Sequence, residues 1–131
     1  MTAVGRAVLV IEDEAAVLAF IRTALERHGY AVIGVESGMQ GLKMLASGEY
    51  AGVISDMRTP GGVSGHDVYR WITQFRPELA GRMLFITGDT VNPQTLDTLQ
   101  TTGVPYIEKP FRSQELLQMV RKVIGEAGAM N

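Results

Sequence analysis

Side chains that could perform chemistry together stand at the ends of the first, third, fourth and fifth short apolar segments of this chain. Glu12 and Asp13 follow the first segment, Asp56 the third, Thr87 the fourth and Lys109 the fifth. Three crowded carboxylates repel one another, and a hard divalent cation such as Mg²⁺ relieves that repulsion. An ammonium and a hydroxyl beside them can bind phosphoryl oxygens, and a carboxylate can itself be the nucleophile. The residue types therefore indicate phosphoryl transfer assisted by a divalent cation.

The elements that must position these side chains alternate between apolar runs and amphipathic stretches. The apolar runs, which predict buried strands, are 7–11, 31–35, 51–55, 82–86 and 104–107. The amphipathic stretches, which predict helices, are 14–28, 37–47, 65–75, 93–102 and 113–126, with Ser37, Asn92 and Ser113 as N-caps. In the fourth helix the apolar face consists of Leu96 and Leu99 alone. The alternation predicts an α/β fold, (βα)5, with a three-layer doubly wound sheet of five parallel strands.

In such a sheet, ligands bind beyond the carboxyl ends of the strands. The polar residues after the strands are therefore expected to meet at one edge. A single acidic residue after a strand is usually a helix cap or a solvated loop residue, and Asp13 alone is equally well explained as a cap. The combination of carboxylates, hydroxyl and ammonium at one edge favours a functional site.

Composition excludes several other classes of protein. The chain has 131 residues, 46% of them hydrophobic and 20% charged, as is usual for one globular domain. It has no cysteine, so thiol catalysis and cysteine-ligated metals are excluded, and His28 and His66 lack the spacing of zinc ligands. A net charge of −2 argues against nucleic-acid binding. Without a signal-peptide pattern or a membrane-spanning run, a cytoplasmic location is expected.

The motifs together resemble the receiver domain of bacterial two-component response regulators. They are VLVIEDE at 8–14, ISDMRTPGGVSG at 54–65, FITGD at 85–89 and YIEKPF at 106–111. The resemblance implies a flavodoxin-like sheet with strand order 2-1-3-4-5. It also implies a receiver domain over 7–126, an N-terminal extension at 1–6 and a frayed tail at 127–131.

The resemblance implies a role for each carboxylate. Asp56 would be the phosphoacceptor that attacks a phosphohistidine of a partner. Asp13, Asp56 and the backbone carbonyl of Arg58 would bind Mg²⁺, or Mn²⁺ as a substitute, and Glu12 would reach the metal through a water. The domain would catalyse its own phosphotransfer and autodephosphorylation without being a separate enzyme.

The phosphoryl oxygens would meet a second set of groups. Lys109 and Thr87 would bind them through side chains, and Met57 and Gly88 through backbone N–H groups. The bond between Lys109 and Pro110 is expected to be cis.

Tyr106 would act with Thr87 as a conformational switch. When Thr87 moves towards the phosphoryl group, Tyr106 would turn inward and rebuild the output face of helix 4, strand 5 and helix 5. The expected partners are a sensor histidine kinase or a histidine phosphotransfer protein, and an output protein or second copy, without nucleic acid or membrane. The chain would be a stand-alone regulator or the receiver of a hybrid kinase, with the second slightly favoured. The alternative is a pseudo-receiver that binds partners without phosphorylation.

The loop after Asp56 departs from the commonest receiver pattern. Thr59 stands where a methionine usually precedes the proline, and GGVSG carries an additional glycine. We also predict an ion pair between Arg58 and Asp89 that slows hydrolysis of the phosphoryl group. Outside this loop, His28 is expected to cap a helix C-terminus and His66 to be solvated, while Trp71 and Phe75 are expected in the core.

Two other classes of phosphate-binding α/β protein fit the sequence less well. A flavodoxin would need a hydroxyl- and glycine-rich loop after the first strand, where this chain has Glu12, Asp13 and Glu14. A phosphatase of the haloacid dehalogenase type would need a second aspartate two residues after the first, where this chain has Ala15.

Overall fold

A computed structural model describes residues 6–127 of the chain. The strands are β1 Ala7–Ile11, β2 Val32–Val35, β3 Tyr50–Asp56, β4 Met83–Thr87 and β5 Tyr106–Glu108. The helices are α1 Ala15–Glu26, α2 Gly38–Ser47, α3 Gly65–Phe75, α4 Pro93–Thr102 and α5 Ser113–Val123. Short 3-10 helices lie at Pro60–Gly62 and Pro77–Arg82. The predicted extension 1–6 and tail 127–131 lie outside the described residues, apart from Arg6 and Ala127.

The five strands form one parallel sheet in the order β2-β1-β3-β4-β5, which confirms the predicted fold class. Two apolar clusters lie on opposite faces of the sheet. One contains Ile21 of α1 and Leu116 of α5, and the other contains Leu45 of α2, Ile72 of α3 and Leu99 of α4. Burial of both faces explains why β1, β3 and β4 are buried throughout and apolar except at the carboxyl ends of β3 and β4.

The ends of several elements differ from the prediction. Ser113 is the first residue of α5 and not its cap, because the backbone of Arg112 precedes the helix and its N–H donates to Glu115 Oε1 at 3.1 Å. The strand predicted at 104–107 begins only at Tyr106 and continues to Glu108. His28 caps the C-terminus of α1 as predicted, since its Nδ1 lies 3.0 Å from the Ala24 carbonyl oxygen. Ser37 and Asn92 accept backbone N–H groups as predicted N-caps do.

Two helix faces were predicted wrongly. Phe75 is 56% exposed and lies at the surface, whereas the half-buried Trp71 beside it, with ring centroids 5.1 Å apart, packs against the second apolar cluster. In α4 the buried residues are Thr95, Thr98 and Leu99, whereas Leu96 is 39% exposed. The side of α4 that faces the sheet therefore carries hydroxyls, and an apolar side chain faces outward.

Candidate functional site

The predicted site residues meet at the carboxyl edge of the sheet. Glu12 directly follows β1, Asp56 ends β3, Thr87 ends β4 and Lys109 directly follows β5. Glu12, Asp56 and Thr87 are buried, while Asp13 is exposed at the rim. All of them except Glu12 line a cleft of about 370 Å³, which Gly88 and Asp89 also line. Chain topology thus assembles one site from residues far apart in sequence.

An acidic cluster lies in this cleft. Glu12, Asp13 and Asp56 each offer a carboxylate oxygen, and these three oxygens lie within 4.8 Å of one another. Glu12 is fully buried, and its Oε1 has no hydrogen-bond partner among the described residues. Its Oε2 accepts the backbone N–H of Glu14 at 3.0 Å. A buried carboxylate oxygen without a hydrogen bond, beside two further carboxylates, suits a hard cation, so the donor set fits Mg²⁺.

Burial raises the pKa of Glu12, the nearby charge of Asp56 adds to this, and the Glu14 N–H and Lys109 oppose it, so that the pKa reaches about 7. The free energy cost of keeping this carboxylate ionised away from water explains the direction of the shift. In the absence of a cation, the folded protein therefore holds a proton on Glu12 near neutral pH.

The Lys109 ammonium supplies the positive charge of the site. Its Nζ lies 2.9 Å from Asp56 Oδ2, 2.7 Å from Glu14 Oε1 and 3.0 Å from Glu12 Oε1, the last contact being ionic without hydrogen-bonding geometry. Burial alone would lower the pKa of Lys109, but its contacts with Glu14, Asp56 and Glu12 outweigh burial and raise it. Lys109 is thus held as a cation directly beside Asp56, and its bond to Pro110 is cis.

Backbone geometry orients the Asp56 carboxylate. Its Oδ1 accepts the backbone N–H of Arg58 at 3.1 Å. The N–H of Met57 instead donates to the Ile86 carbonyl at 2.8 Å and extends the pairing of β3 with β4. The predicted phosphate contact of the Met57 N–H therefore does not fit this structure, and the N–H that faces the carboxylate belongs to Arg58.

Thr87 and Tyr106 lie on neighbouring strands. Phe85 is in register with Tyr106, and Thr87 with Glu108, so Thr87 and Tyr106 point to the same face of the sheet. Thr87 is buried and its Oγ1 accepts the Asp89 N–H at 3.1 Å, whereas Tyr106 is 43% exposed. Tyr106 therefore has its ring outward in this structure.

The unusual loop after Asp56 turns through its two glycines. Gly61 and Gly62 have φ values of 85° and 81°, a left-handed conformation that favours glycine, which explains the additional glycine. Thr59 donates to the Val63 carbonyl and closes the turn. At its edge, Arg58 and Asp89 form the predicted ion pair, at 3.9 Å between exposed side chains.

Sequence reasoning missed Glu14 as a member of the site. It was predicted only as the start of the first helix, yet its carboxylate makes the shortest contact of Lys109, at 2.7 Å. An acidic residue directly after the Glu12–Asp13 pair was the available signal. His66 is half-buried at the start of α3, in a cleft that adjoins the site, and is not part of the acidic cluster.

Comparison with known proteins adds an independent finding. A family model described as the response regulator receiver domain matches residues 8–121. The chain is 29% identical over 121 residues to the uncharacterized transcriptional regulatory protein YkoG of Bacillus subtilis, covering 92% of this chain and 52% of that protein. It is 32% identical over 116 residues to the C4-dicarboxylate transport transcriptional regulatory protein DctD of Rhizobium meliloti, covering 88% of this chain and 24% of that protein. The chain spans about half or less of the length of these two relatives.

Solved structures share the fold. The receiver domain of sensor histidine kinase PA1611 from Pseudomonas aeruginosa superposes with a TM-score of 0.79 at 26% identity, covering 93% of this chain and 99% of that one. That domain is described with a magnesium ion coordinated in its active site cleft. The receiver domain of a signal transduction histidine kinase from Syntrophus aciditrophicus has a TM-score of 0.81 at 22% identity, covering 92% of this chain and 90% of that one. Within residues 6–127, no helix has the length and apolar character needed to cross a membrane.

Proposed function

The chain belongs to the response regulator receiver domain family of two-component systems, and we propose that it takes a phosphoryl group from a partner's phosphohistidine onto Asp56. The observation that carries this proposal is the environment of the Asp56 carboxylate. One of its oxygens accepts from Lys109 Nζ at 2.9 Å and the other from the Arg58 N–H at 3.1 Å. This carboxylate is therefore oriented by donors and lies beside two further acids in an open cleft.

In the proposed step, a carboxylate oxygen of Asp56 attacks phosphorus while the bond from phosphorus to the imidazole nitrogen breaks. The electron pair stays on that nitrogen, which then takes up a proton from solvent. Lys109, the Arg58 N–H and the Thr87 hydroxyl are the donors that would bind the phosphoryl oxygens, since each lies at this edge of the sheet. Such donors accelerate phosphoryl transfer by positioning and by charge stabilisation.

The acidic cluster would hold the cation that this reaction needs. Glu12, Asp13 and Asp56 are the side chains that fit Mg²⁺, and the Arg58 carbonyl is the backbone ligand expected from the family resemblance. When bound, Mg²⁺ would offset the negative charge of the carboxylates and of the incoming group. The magnesium ion in the PA1611 receiver supports the same assignment here.

The output face would respond through Thr87 and Tyr106. If Thr87 turns towards a phosphoryl oxygen, it gives up its place on the shared face of the sheet, and the exposed Tyr106 can turn inward. This would reshape the surface of α4, β5 and α5, where an output protein or a second copy would bind. A sensor histidine kinase or a histidine phosphotransfer protein would supply the phosphoryl group, and we expect the exchange in the cytoplasm.

Intact mass spectrometry tests the proposal. The protein is incubated with Mg²⁺ and acetyl phosphate, beside Asp56→Asn and the control Asp97→Asn, which removes an exposed carboxylate of α4. We expect one phosphoryl group on the wild type and on Asp97→Asn, and none on Asp56→Asn. Equal addition to Asp56→Asn would refute Asp56 as the acceptor. No addition with either acetyl phosphate or a phosphorylated histidine donor would instead support a binding-only pseudo-receiver.

A further inference from the structure

Carboxylates surround the Lys109 ammonium in this structure. Its Nζ donates hydrogen bonds to Glu14 Oε1 at 2.7 Å and to Asp56 Oδ2 at 2.9 Å, and it makes an ionic contact with Glu12 Oε1 at 3.0 Å. A phosphoryl oxygen that takes over one of these hydrogen bonds must displace Glu14 or Asp56 from Lys109.

Glu14 is the partner that can give way. The side chain of Glu12 is 0% exposed and that of Asp56 is 8% exposed, whereas the side chain of Glu14 is 60% exposed. Glu12 is fixed further by the hydrogen bond to its Oε2, and Asp56 would itself carry the phosphoryl group. The Glu14 carboxylate can instead turn into water, where its charge is solvated.

Helix α1 does not depend on the Glu14 side chain. Glu14 is the N-cap residue of α1, but its side chain makes no capping hydrogen bond, since it reaches across to Lys109. Its departure from Lys109 therefore breaks no contact that holds the start of the helix.

We infer that Glu14 is a positioning residue that occupies the place of the incoming phosphoryl oxygen at Lys109 and so slows phosphorylation of Asp56. This inference rests on the proposed function. Two effects act in the same direction: the carboxylate competes for the ammonium, and its negative charge repels the dianionic donor. With acetyl phosphate, the new bond joins Asp56 to phosphorus, and acetate leaves with the electron pair of the broken bond.

Phosphorylation of Asp56 and hydrolysis of the resulting aspartyl phosphate are separate reactions and should respond differently to Glu14. Phosphorylation brings a negatively charged group into the cleft, so the charge of Glu14 opposes it. Hydrolysis begins with neutral water and a phosphoryl group that is already in place, so the same charge affects it less. Glu14 should therefore affect acquisition of the phosphoryl group more than its lifetime.

The experiment compares Glu14→Gln with Glu36→Gln, which removes the same charge from an exposed residue directly after β2. Phosphorylation is followed by intact mass over a range of acetyl phosphate concentrations at saturating Mg²⁺, and hydrolysis is followed after the donor is removed. We expect Glu14→Gln to raise kcat/KM by about two- to fivefold, mainly through a lower KM, with hydrolysis changed less than about twofold. Glu36→Gln should match the wild type, and the Glu14→Gln effect should shrink in about 0.5 M salt.

The outcomes distinguish a failure of the role inferred for Glu14 from a failure of the proposed function. If the wild type is phosphorylated but Glu14→Gln is no faster, with thermal unfolding showing both folded, the role of Glu14 is refuted while the proposed function stands. An equal gain in Glu36→Gln would also refute it, since a general charge effect would then suffice. If the wild type never acquires a phosphoryl group, the proposed function itself fails.

Discussion

Glu12→Gln should stabilise the cation-free protein at alkaline pH. The folded protein holds a proton on Glu12 up to a pKa of about 7, whereas the unfolded chain releases it near 4.5. Between these values the folded state binds more protons than the unfolded state, so the stability of the wild type falls as pH rises through this window. At about 1.4 kcal/mol per pH unit, the loss reaches about 3 kcal/mol above pH 7. A glutamine cannot titrate and avoids this loss.

The assay is urea unfolding in a chelator, at intervals from about pH 5 to 8.5. We expect the advantage of Glu12→Gln over the wild type to grow across this range and to level off above pH 7. Glu36→Gln is the control, and its difference from the wild type should stay constant. Added Mg²⁺ should reduce the difference in unfolding free energy between Glu12→Gln and the wild type at pH 8, because Mg²⁺ stabilises the folded wild type that binds it. A difference independent of pH, or a less stable variant at pH 8.5, would refute the reasoning.

Three further predictions concern the loop after Asp56. Arg58→Ala should speed hydrolysis of the phosphoryl group by less than about fivefold, because the exposed pair with Asp89 is worth about 0–1 kcal/mol. Gly65→Ala should destabilise the protein by about 1–3 kcal/mol and slow phosphorylation, because the new Cβ would lie 2.6 Å from the Asp56 carbonyl oxygen. Ser64→Ala should lower the free energy of unfolding by about 1 kcal/mol, because it removes the Ser64 Oγ that accepts the Asp67 N–H at 3.1 Å and caps α3. Urea unfolding measures the last two, and loss of the phosphorylated mass measures the first.

Each of these substitutions has a matched control. Arg70→Ala removes an exposed arginine of α3, and its hydrolysis rate should equal that of the wild type. Gly81→Ala adds a Cβ with no atom within 4 Å and should be tolerated. Ser47→Ala, at the exposed end of α2, should leave stability unchanged. An effect in a control as large as in its partner would contradict the corresponding mechanism.

The stability contributed by the hydrogen bonds between Ser64 and Asp67 also depends on pH. Hydrogen bonds from Ser64 lower the pKa of Asp67 below its ordinary 3.8. Because the folded protein then releases this proton more readily than the unfolded chain, the stabilisation is present above pH 3.8 and is lost as pH falls through the lowered pKa.

The sheet and the membership of the site could be predicted because both depend on patterns of sequence. Apolar runs mark strands buried on two faces, and parallel strands end at a common edge, so the positions of Glu12, Asp56, Thr87 and Lys109 follow from the order of elements alone. This information is carried by residue types and does not require side-chain directions.

What could not be predicted depends on register and on side-chain direction. The N–H of Met57 is unavailable because β3 pairs with β4 one residue beyond Asp56, and only the strand register shows this. Glu14 resembles an ordinary first residue of a helix until its carboxylate is seen to reach Lys109. Leu96 and Thr95 are adjacent in α4, and hydrophobicity alone predicts the wrong one of them to be buried.

The hydrogen bond from Lys109 to Glu14 joins residues 95 positions apart, and the one to Asp56 spans 53. During synthesis on the ribosome, Asp56 therefore emerges long before the ammonium that contacts it. Under the proposed function, a stalled or prematurely ended chain that stops before Lys109 would display the acceptor carboxylate but could not use it. Incomplete copies would then take no phosphoryl groups from the donor, and the sequence separation of these residues would keep unfinished protein out of the exchange.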